Sequence, residues 1–336
     1  MKYSVIIPCY NSEKTIDSAL GSIYMSACYE KYKSLIEVIV VNDGSTDATS
    51  TIIDRYKASY PSLIVINQDN QGVGGARKRG VSEASGEYLI FLDSDDLLHS
   101  RIFQMLESLN DIVSDADIVR FSSMNFVDIN STTEDPGEPS YIRIDQRQFV
   151  DRVICGEIID GTVSVTLWGK VYKRELFLIA VKDYGDGILS DYYINMQYYE
   201  EVMSSIELDN SLYWYRVNDI GISHSYQKDT VDMLRRVDDY KRLMMERLCL
   251  DNENMIKKAN AWLIRFVTMV YYNLAREKRA YRKNQYKKYD RILKNAGAYK
   301  VLNHIKTDRE VRLFRTRIFF IIDMYFWLRW KKSKRY

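Results

Sequence analysis

Within roughly its first hundred residues the chain carries four short apolar runs, each closed by a polar turn and followed by a different periodicity. The runs are Tyr3–Ile7, Glu37–Val41, Leu63–Asn67 and Leu89–Leu92, and they are rich in the β-branched and aromatic residues that suit covered strands. After the first run Pro8 stops the strand, and a helical spacing resumes through Ile16, Leu20 and Ile23, with Asn11 or Ser12 as its N-cap. Strands alternating with helices of this length predict βαβ units and a parallel sheet. In such a sheet all four polar turns fall on one edge, where open α/β sheets bind their ligands.

The fourth turn is the most acidic. Leu89-Ile90-Phe91-Leu92 runs straight into Asp93-Ser94-Asp95-Asp96. Carboxylates gathered at a strand end repel one another unless a cation joins them, and hard divalent ions bridge such carboxylates to phosphates. The other reading is a polar turn in which Ser94 or Asp96 caps the next helix. The glycines of Gly72–Gly80 follow the third strand, whereas a dinucleotide fingerprint follows the first, so they do not carry that meaning.

The segments SVIIPCYN, VIVVNDGSTD, NQGVGGARKRG and GEYLIFLDSDD occur in this order and spacing over about the first hundred residues. Together they resemble the nucleotide-sugar half of family-two glycosyltransferases of the GT-A fold. A looser match continues through Leu167–Tyr172, Ser190-Asp191 and Leu212–Ser225. The resemblance implies an α/β fold, a Rossmann-like mixed and mainly parallel sheet flanked by helices, and a UDP-sugar donor. It places Pro8, Tyr10, Asn11, Asp43, Arg77, Asp93, Ser94 and Asp95 around that donor. Asp43 would meet the uracil or ribose, Arg77 the base or the phosphates, and Asp95 with Asp93 would hold Mn²⁺ or Mg²⁺ on the diphosphate. Such a cation offsets the charge that develops as the sugar–phosphate bond breaks. Asp43 also suits an Asx-turn before Thr46, and Arg77 a surface ion pair on its helix. Two positions depart from the family pattern, Asn42 where a second Asp is common and Lys78 where Asn is common.

Transfer to a hydroxyl needs a carboxylate to take the acceptor's proton. By resemblance that base is Asp191, with Ser190 in place of the usual Glu, acting in a single inverting displacement; capping of the following helix is the alternative. Trp168 and Lys170 match the family's Trp-x-Lys segment at the acceptor region, and a core Trp with a solvent Lys fits equally well. Arg216 and His224 fall where relatives close over the diphosphate, although a lone His is more often structural. The stretch Asn130–Ser140 reads as an insertion bordering the acceptor site.

Charge divides the chain unevenly. Residues 231–336 hold 28 Lys+Arg and 11 Asp+Glu, a net of +17, which leaves −15 in residues 1–230. The expected organisation is a GT-A catalytic domain over 1–228, with its nucleotide-sugar half at 1–100 and acceptor half at 101–228, then a basic helical region over 229–336. Apolar spacing predicts helices at Val231–Leu250, Met255–Arg276 and Glu310–Trp330. Ile318–Leu328 is apolar except for Asp323 and leads into a run of Arg and Lys. It is too short to span a bilayer and suited to an anionic membrane surface, or else to packing on the catalytic domain or on a second subunit in a homo-oligomer. No nucleic-acid motif accompanies the charge.

Four scattered cysteines and a strand beginning at Tyr3 predict a cytoplasmic protein, and the basic C-terminal helix adds the expectation of a peripheral place on the inner face of the plasma membrane. A processive synthase would need a run of transmembrane helices. The reading is an inverting, metal-dependent transferase that moves one sugar to a lipid-linked or protein-linked glycan. A sugar-nucleotide nucleotidyltransferase would want a Gly-rich basic loop after the first strand, and Pro8–Asn11 is not one. A non-catalytic nucleotide-sugar-binding scaffold is the remaining alternative.

Overall fold

The computed structural model describes residues 2–129, 132, 135–161, 165–217, 230–301, 313 and 319–333. The chain divides into two compact units. One comprises Met1–Asp151 and Thr166–Asp219, the other Arg152–Val165 and Ile220–Tyr336.

The first unit is built on a mixed sheet. Strands β1 (Tyr3–Cys9), β2 (Ile36–Asn42), β3 (Ile64–Asn67) and β4 (Tyr88–Phe91) run parallel in the order β3-β2-β1-β4. The crossovers are α1 (Ile16–Tyr24), α2 (Thr49–Ser59) and α3 (Gly72–Glu83). Every residue of β1 and β2 is buried, which accounts for their unbroken apolar character. Beyond β4 the pattern changes. Strand β8 (Lys170–Lys173) pairs antiparallel with both β4 and β6 (Ile118–Phe126). β9 (Ser204–Arg216) runs parallel to β6 and antiparallel to β5 (Leu97–Leu98) and β7 (Tyr141–Asp145). The strand order reverses between β2 and β4 on either side of β1, which opens the crevice where doubly wound sheets hold ligands.

Pro8 does not stop the first strand; it pairs in register with Val41 inside β1. The carbonyl of Ile6 accepts from Leu92 N–H, so even-numbered residues of β1 face β4. The last pair with β4 is Ile6 with Phe91, so Pro8 lies past the point where a donor is needed. Neither Asn11 nor Ser12 caps α1. The helix starts at Ile16 with Thr15 before it, and Asn11 takes a left-handed φ of 50°.

The second unit contains α7 (Thr230–Arg247), α8 (Glu253–Leu274), α9 (Arg279–Asn295) and α10 (Phe319–Ser333). Apolar spacing does not predict α9, whose inward face is largely Tyr286, Tyr289, Ile292 and Leu293 on a basic helix. Residues 152–165 belong to this unit, with Asp160 taking ion pairs from Lys258 and Arg265. Most of the predicted helix before Phe319 lies outside the described residues. Among the described residues no helix is long and apolar enough to cross a membrane.

Candidate active site

Three turns on the sheet edge are tied together by side chains. Asn11 Oδ1 accepts from Thr46 N–H at 2.8 Å, and Asn11 N–H donates to Ser45 Oγ at 3.0 Å. Ser12 N–H donates to Thr49 Oγ1 at 2.7 Å, and the hydroxyls of Ser12 and Ser94 lie 2.8 Å apart. The turns after β1, β2 and β4 therefore form one floor. Tyr10 stands out from it, 51% exposed, with its ring open to a ligand.

Asp43 is buried beside this floor and is not part of an Asx-turn. Its Oδ1 accepts from Gln68 Nε2 at 2.7 Å and from Gln71 N–H at 2.9 Å, which fixes the turn leading into α3. The local turn is made one residue earlier, where Asn42 Oδ1 accepts from Ser45 N–H at 3.1 Å.

Arg77 is the centre of the arrangement. It is 3% exposed and so is not a surface ion pair. Its Nη1 donates to Asp191 Oδ1 at 2.5 Å and to Ser190 Oγ at 3.1 Å, while Nη2 donates to Asp93 Oδ1 at 3.2 Å. One guanidinium thus holds a carboxylate from the turn after β4 and another from the first turn of α6 (Ser190–Tyr199). Asp191 Oδ2 accepts from Leu167 N–H at 3.1 Å, so it serves Arg77 and the Leu167 loop and makes no cap bond on its own helix.

The three acidic residues of the fourth turn part company. Burial, opposed by Arg77 and reinforced by Asp191 and Asp95, pushes the Asp93 carboxyl up to about 6. Asp95 offers its backbone carbonyl to Arg216 Nε at 2.7 Å. Asp96 turns inward, accepting from Tyr213 Oη at 2.8 Å and from Arg216 N–H at 2.7 Å. Burial, then Asp93 and Asp95, push the Asp96 carboxyl up to about 8 against those two bonds. Neither Ser94 nor Asp96 caps a helix, because β5 follows and the next helix begins at Ile102. Among the described residues no three His, Cys, Asp or Glu side chains converge as a metal cage. A cation shared with phosphates needs only one or two carboxylates. Asp93 and Asp95 stand on one turn beside the floor and supply that number of carboxylates, so this donor set would fit a shared divalent ion.

Trp168 stacks on Tyr213 at 4.7 Å and on Tyr215 at 5.5 Å, with Tyr215 38% exposed at the end of the row. Lys170 is not a solvent lysine. Buried, it donates to the carbonyls of Thr166 and Trp168 at 2.5 and 3.3 Å and closes that loop. The Arg216 guanidinium lies 4.5 Å from the Phe126 ring. His224 lies outside the described residues, as do residues 130–131 and 133–134 of the insertion. Its end is tied to β9 by Asn210, which donates to the carbonyls of Pro136 and Glu138.

In sequence the run Tyr213-Trp214-Tyr215-Arg216 suits sugar stacking or an ordinary strand, and neither the hydroxyl's role at Tyr213 nor the close approach at Gly74 is visible there. Tyr213 Oη accepts from Asp93 N–H at 3.3 Å while donating to Asp96, so it fixes the acidic turn from the far side. A Cβ on Gly74 would stand 1.8 Å from the carbonyl oxygen of Gly185, so α3 reaches the segment before α6 only through a glycine.

Comparison with known proteins agrees with this architecture. The family described as glycosyl transferase family 2 matches residues 4–161. Glycosyltransferase GlyA of Streptococcus pneumoniae serotype 4 is 30% identical over 224 residues, 66% of this chain and 31% of that protein. The cholesterol galactosyltransferase of Borreliella burgdorferi is 30% identical over 182 residues, 53% of this chain and 49% of that protein. The chain therefore spans half or less of the length of these two relatives. The crystal structure of S. aureus TarS 1–349 in complex with UDP-GlcNAc superposes with a TM-score of 0.67 at 19% identity, covering 99% of this chain and 92% of that one. The match at residues 4–161 falls on the strands and turns that build this site, so that part of the chain is similar to glycosyl transferase family 2, on a mixed sheet like that of the solved neighbour.

Proposed function

We propose that this chain transfers one sugar from a UDP-sugar to a hydroxyl of a glycan acceptor, with inversion and with a divalent cation, Mn²⁺ or Mg²⁺. The observation that carries the reading is the Arg77 bridge, which holds Asp93 and Asp191 on one guanidinium. A transferase needs two fixed carboxylates with different tasks, one beside the leaving diphosphate and one beside the attacking hydroxyl.

In this mechanism Tyr10 stacks on the base, and Asp43 with the floor around Asn11 positions the nucleoside. Asp93 and Asp95 would hold the cation, which when bound offsets negative charge on the diphosphate. Asp191 takes the proton of the acceptor hydroxyl. The hydroxyl oxygen bonds to the anomeric carbon as the bond from that carbon to the phosphate oxygen breaks, and UDP departs. Arg77, Ser190 and Leu167 N–H keep Asp191 aimed throughout. The aromatic row of Trp168, Tyr213 and Tyr215 offers the acceptor sugar a stacking wall. The complex of TarS with UDP-GlcNAc supports a uridine nucleotide as donor here. A lipid-linked or protein-linked acceptor and a peripheral site on the inner face of the plasma membrane complete the proposal.

The test is calorimetric titration with UDP and a panel of UDP-sugars, in Mn²⁺ and then in EDTA. Binding that EDTA abolishes, and that Asp95→Ala also abolishes, is expected. Binding unaffected by both would overturn the assignment of the acidic turn, and no binding of any uridine nucleotide would overturn the donor.

A further inference from the structure

Helix α10 presents two faces that the sequence does not distinguish. Asp323, the acid interrupting its apolar run, is turned inward. It is 5% exposed and forked by Arg282, with Nε at 2.5 Å and Nη2 at 2.9 Å. Ile322 and Phe326 are buried with it. The ion pair leaves the opposite face of the helix without an acid. That face carries Phe320, Met324 and Leu328, spaced by four residues and 54%, 45% and 46% exposed. Lys331 follows three residues after Leu328 on the same side of the helix, its Nζ 4.0 Å from the Trp327 ring, and the Arg279 guanidinium of α9 lies 5.4 Å from the Phe320 ring.

We infer that this face is a docking surface for an anionic lipid bilayer. Aromatic and aliphatic side chains of α10 lie between Lys331 on the same helix and Arg279 of α9, whose Nε is also 3.7 Å from Asp323, and such a mixture of apolar and basic groups suits the headgroup layer. The region around it carries 28 Lys+Arg against 11 Asp+Glu over residues 231–336, a charge that anionic headgroups attract. A second copy of the chain is a poorer occupant. It would bring Arg279 and Lys331 against their own like charges, over an apolar strip of only about two helical turns. The inference extends the lipid-linked acceptor of the proposed function, and its readout does not depend on UDP, so either can fail alone.

The full chain is to be sedimented with vesicles of phosphatidylcholine, with and without phosphatidylglycerol. Strong binding to the anionic vesicles only is expected, declining with salt. Combined Phe320→Ser, Met324→Ser and Leu328→Ser should weaken it about tenfold or more. Arg279→Gln with Lys331→Gln should weaken it and flatten the salt dependence. Circular dichroism and UDP titration of the same variants, unchanged from the parent, show that folding and the donor site are intact. Undiminished vesicle binding by the triple variant would overturn the inference. So would a parent chain that binds neither vesicle, or a parent dimer that the triple variant turns into a monomer.

Discussion

Replacing Arg77 by Met keeps most of the side-chain volume and removes the charge that joins Asp93 to Asp191. Breaking a buried ion pair by deleting one partner costs about 3–5 kcal/mol, because the other charge is stranded. Here the Arg77 side chain is 4% exposed, but those of Asp93 and Asp191 are 30% and 22% exposed, so water can recover part of their solvation. That brings the expected loss to about 2–3 kcal/mol. For a domain of this size each kcal/mol lowers the melting temperature by about 2–4 °C, so a drop of about 5–10 °C should appear in a thermal melt. Transfer should suffer more than stability, since a misplaced catalytic carboxylate can cost about a hundredfold. Arg77→Lys should rescue little, because a single ammonium cannot fork across both carboxylates and Ser190. A double-mutant cycle of Arg77→Met with Asp191→Asn should show coupling of about 1–3 kcal/mol. Additive effects, or a variant that melts like the parent, would refute the claim that this guanidinium organises the site.

The remaining expectations concern the base, the frame beneath it and the approach of α3. Asp191→Asn should leave UDP affinity within a few-fold of the parent while transfer falls by at least about a hundredfold; normal turnover, followed by released UDP, would move the base elsewhere. Glu37 is buried in the first unit and accepts from Ser85 N–H and Gly86 N–H at 2.6 and 3.0 Å and from the hydroxyls of Ser4 and Ser85. Burial opposes its charge, yet these donors outweigh it and hold its pKa below the ordinary 4.5. The unfolded chain therefore takes up the proton first. Glu37 contributes full stability above about pH 4.5, lost as pH falls through the lower folded value. Urea titrations across that range should show this acid slope in the parent and not in Glu37→Gln. Gly74→Ala should lower the unfolding free energy by about 1–3 kcal/mol, read as a lower urea midpoint, because the carbonyl of Gly185 belongs to backbone and cannot swing aside. A parent-like midpoint would mean the two segments can separate freely.

The parts of the fold legible in the sequence are those set by neighbours along the chain. Alternating runs and turns predicted the four parallel strands to within two residues at each end, because a covered strand needs only its own apolar residues to announce itself. Pro8 misled because the rule against proline in a sheet depends on which neighbour needs its N–H. On that side β4 had already ended. The helix α9 escaped because its inward face mixes Arg282, Gln285, Tyr286 and Tyr289 with only Ile292 and Leu293 on a basic background, too polar in composition for apolar spacing to detect.

Acidic residues show why the site was harder to read. As side chains Asp93, Asp95 and Asp96 are alike; the family resemblance sets Asp96 apart from the other two, but its inward turn is visible only through a distant partner. Asp93 is given to Arg77, and Asp96 to Tyr213, 117 residues later in the chain. Asp323 looks like a flaw in an apolar helix until Arg282, 41 residues earlier, takes it inward. In each case the carboxylate that finds a buried donor becomes part of the frame and leaves a neighbouring surface with a different charge. At the fourth turn, sequestering Asp96 leaves Asp93 and Asp95 as the two carboxylates to which the proposed function assigns a cation. On α10, sequestering Asp323 clears the exposed face of the one charge that anionic lipid would repel. The physics of the two places is the same: burying an acid on a specific donor decides which charges the surface presents, and that choice is invisible until the partner is known.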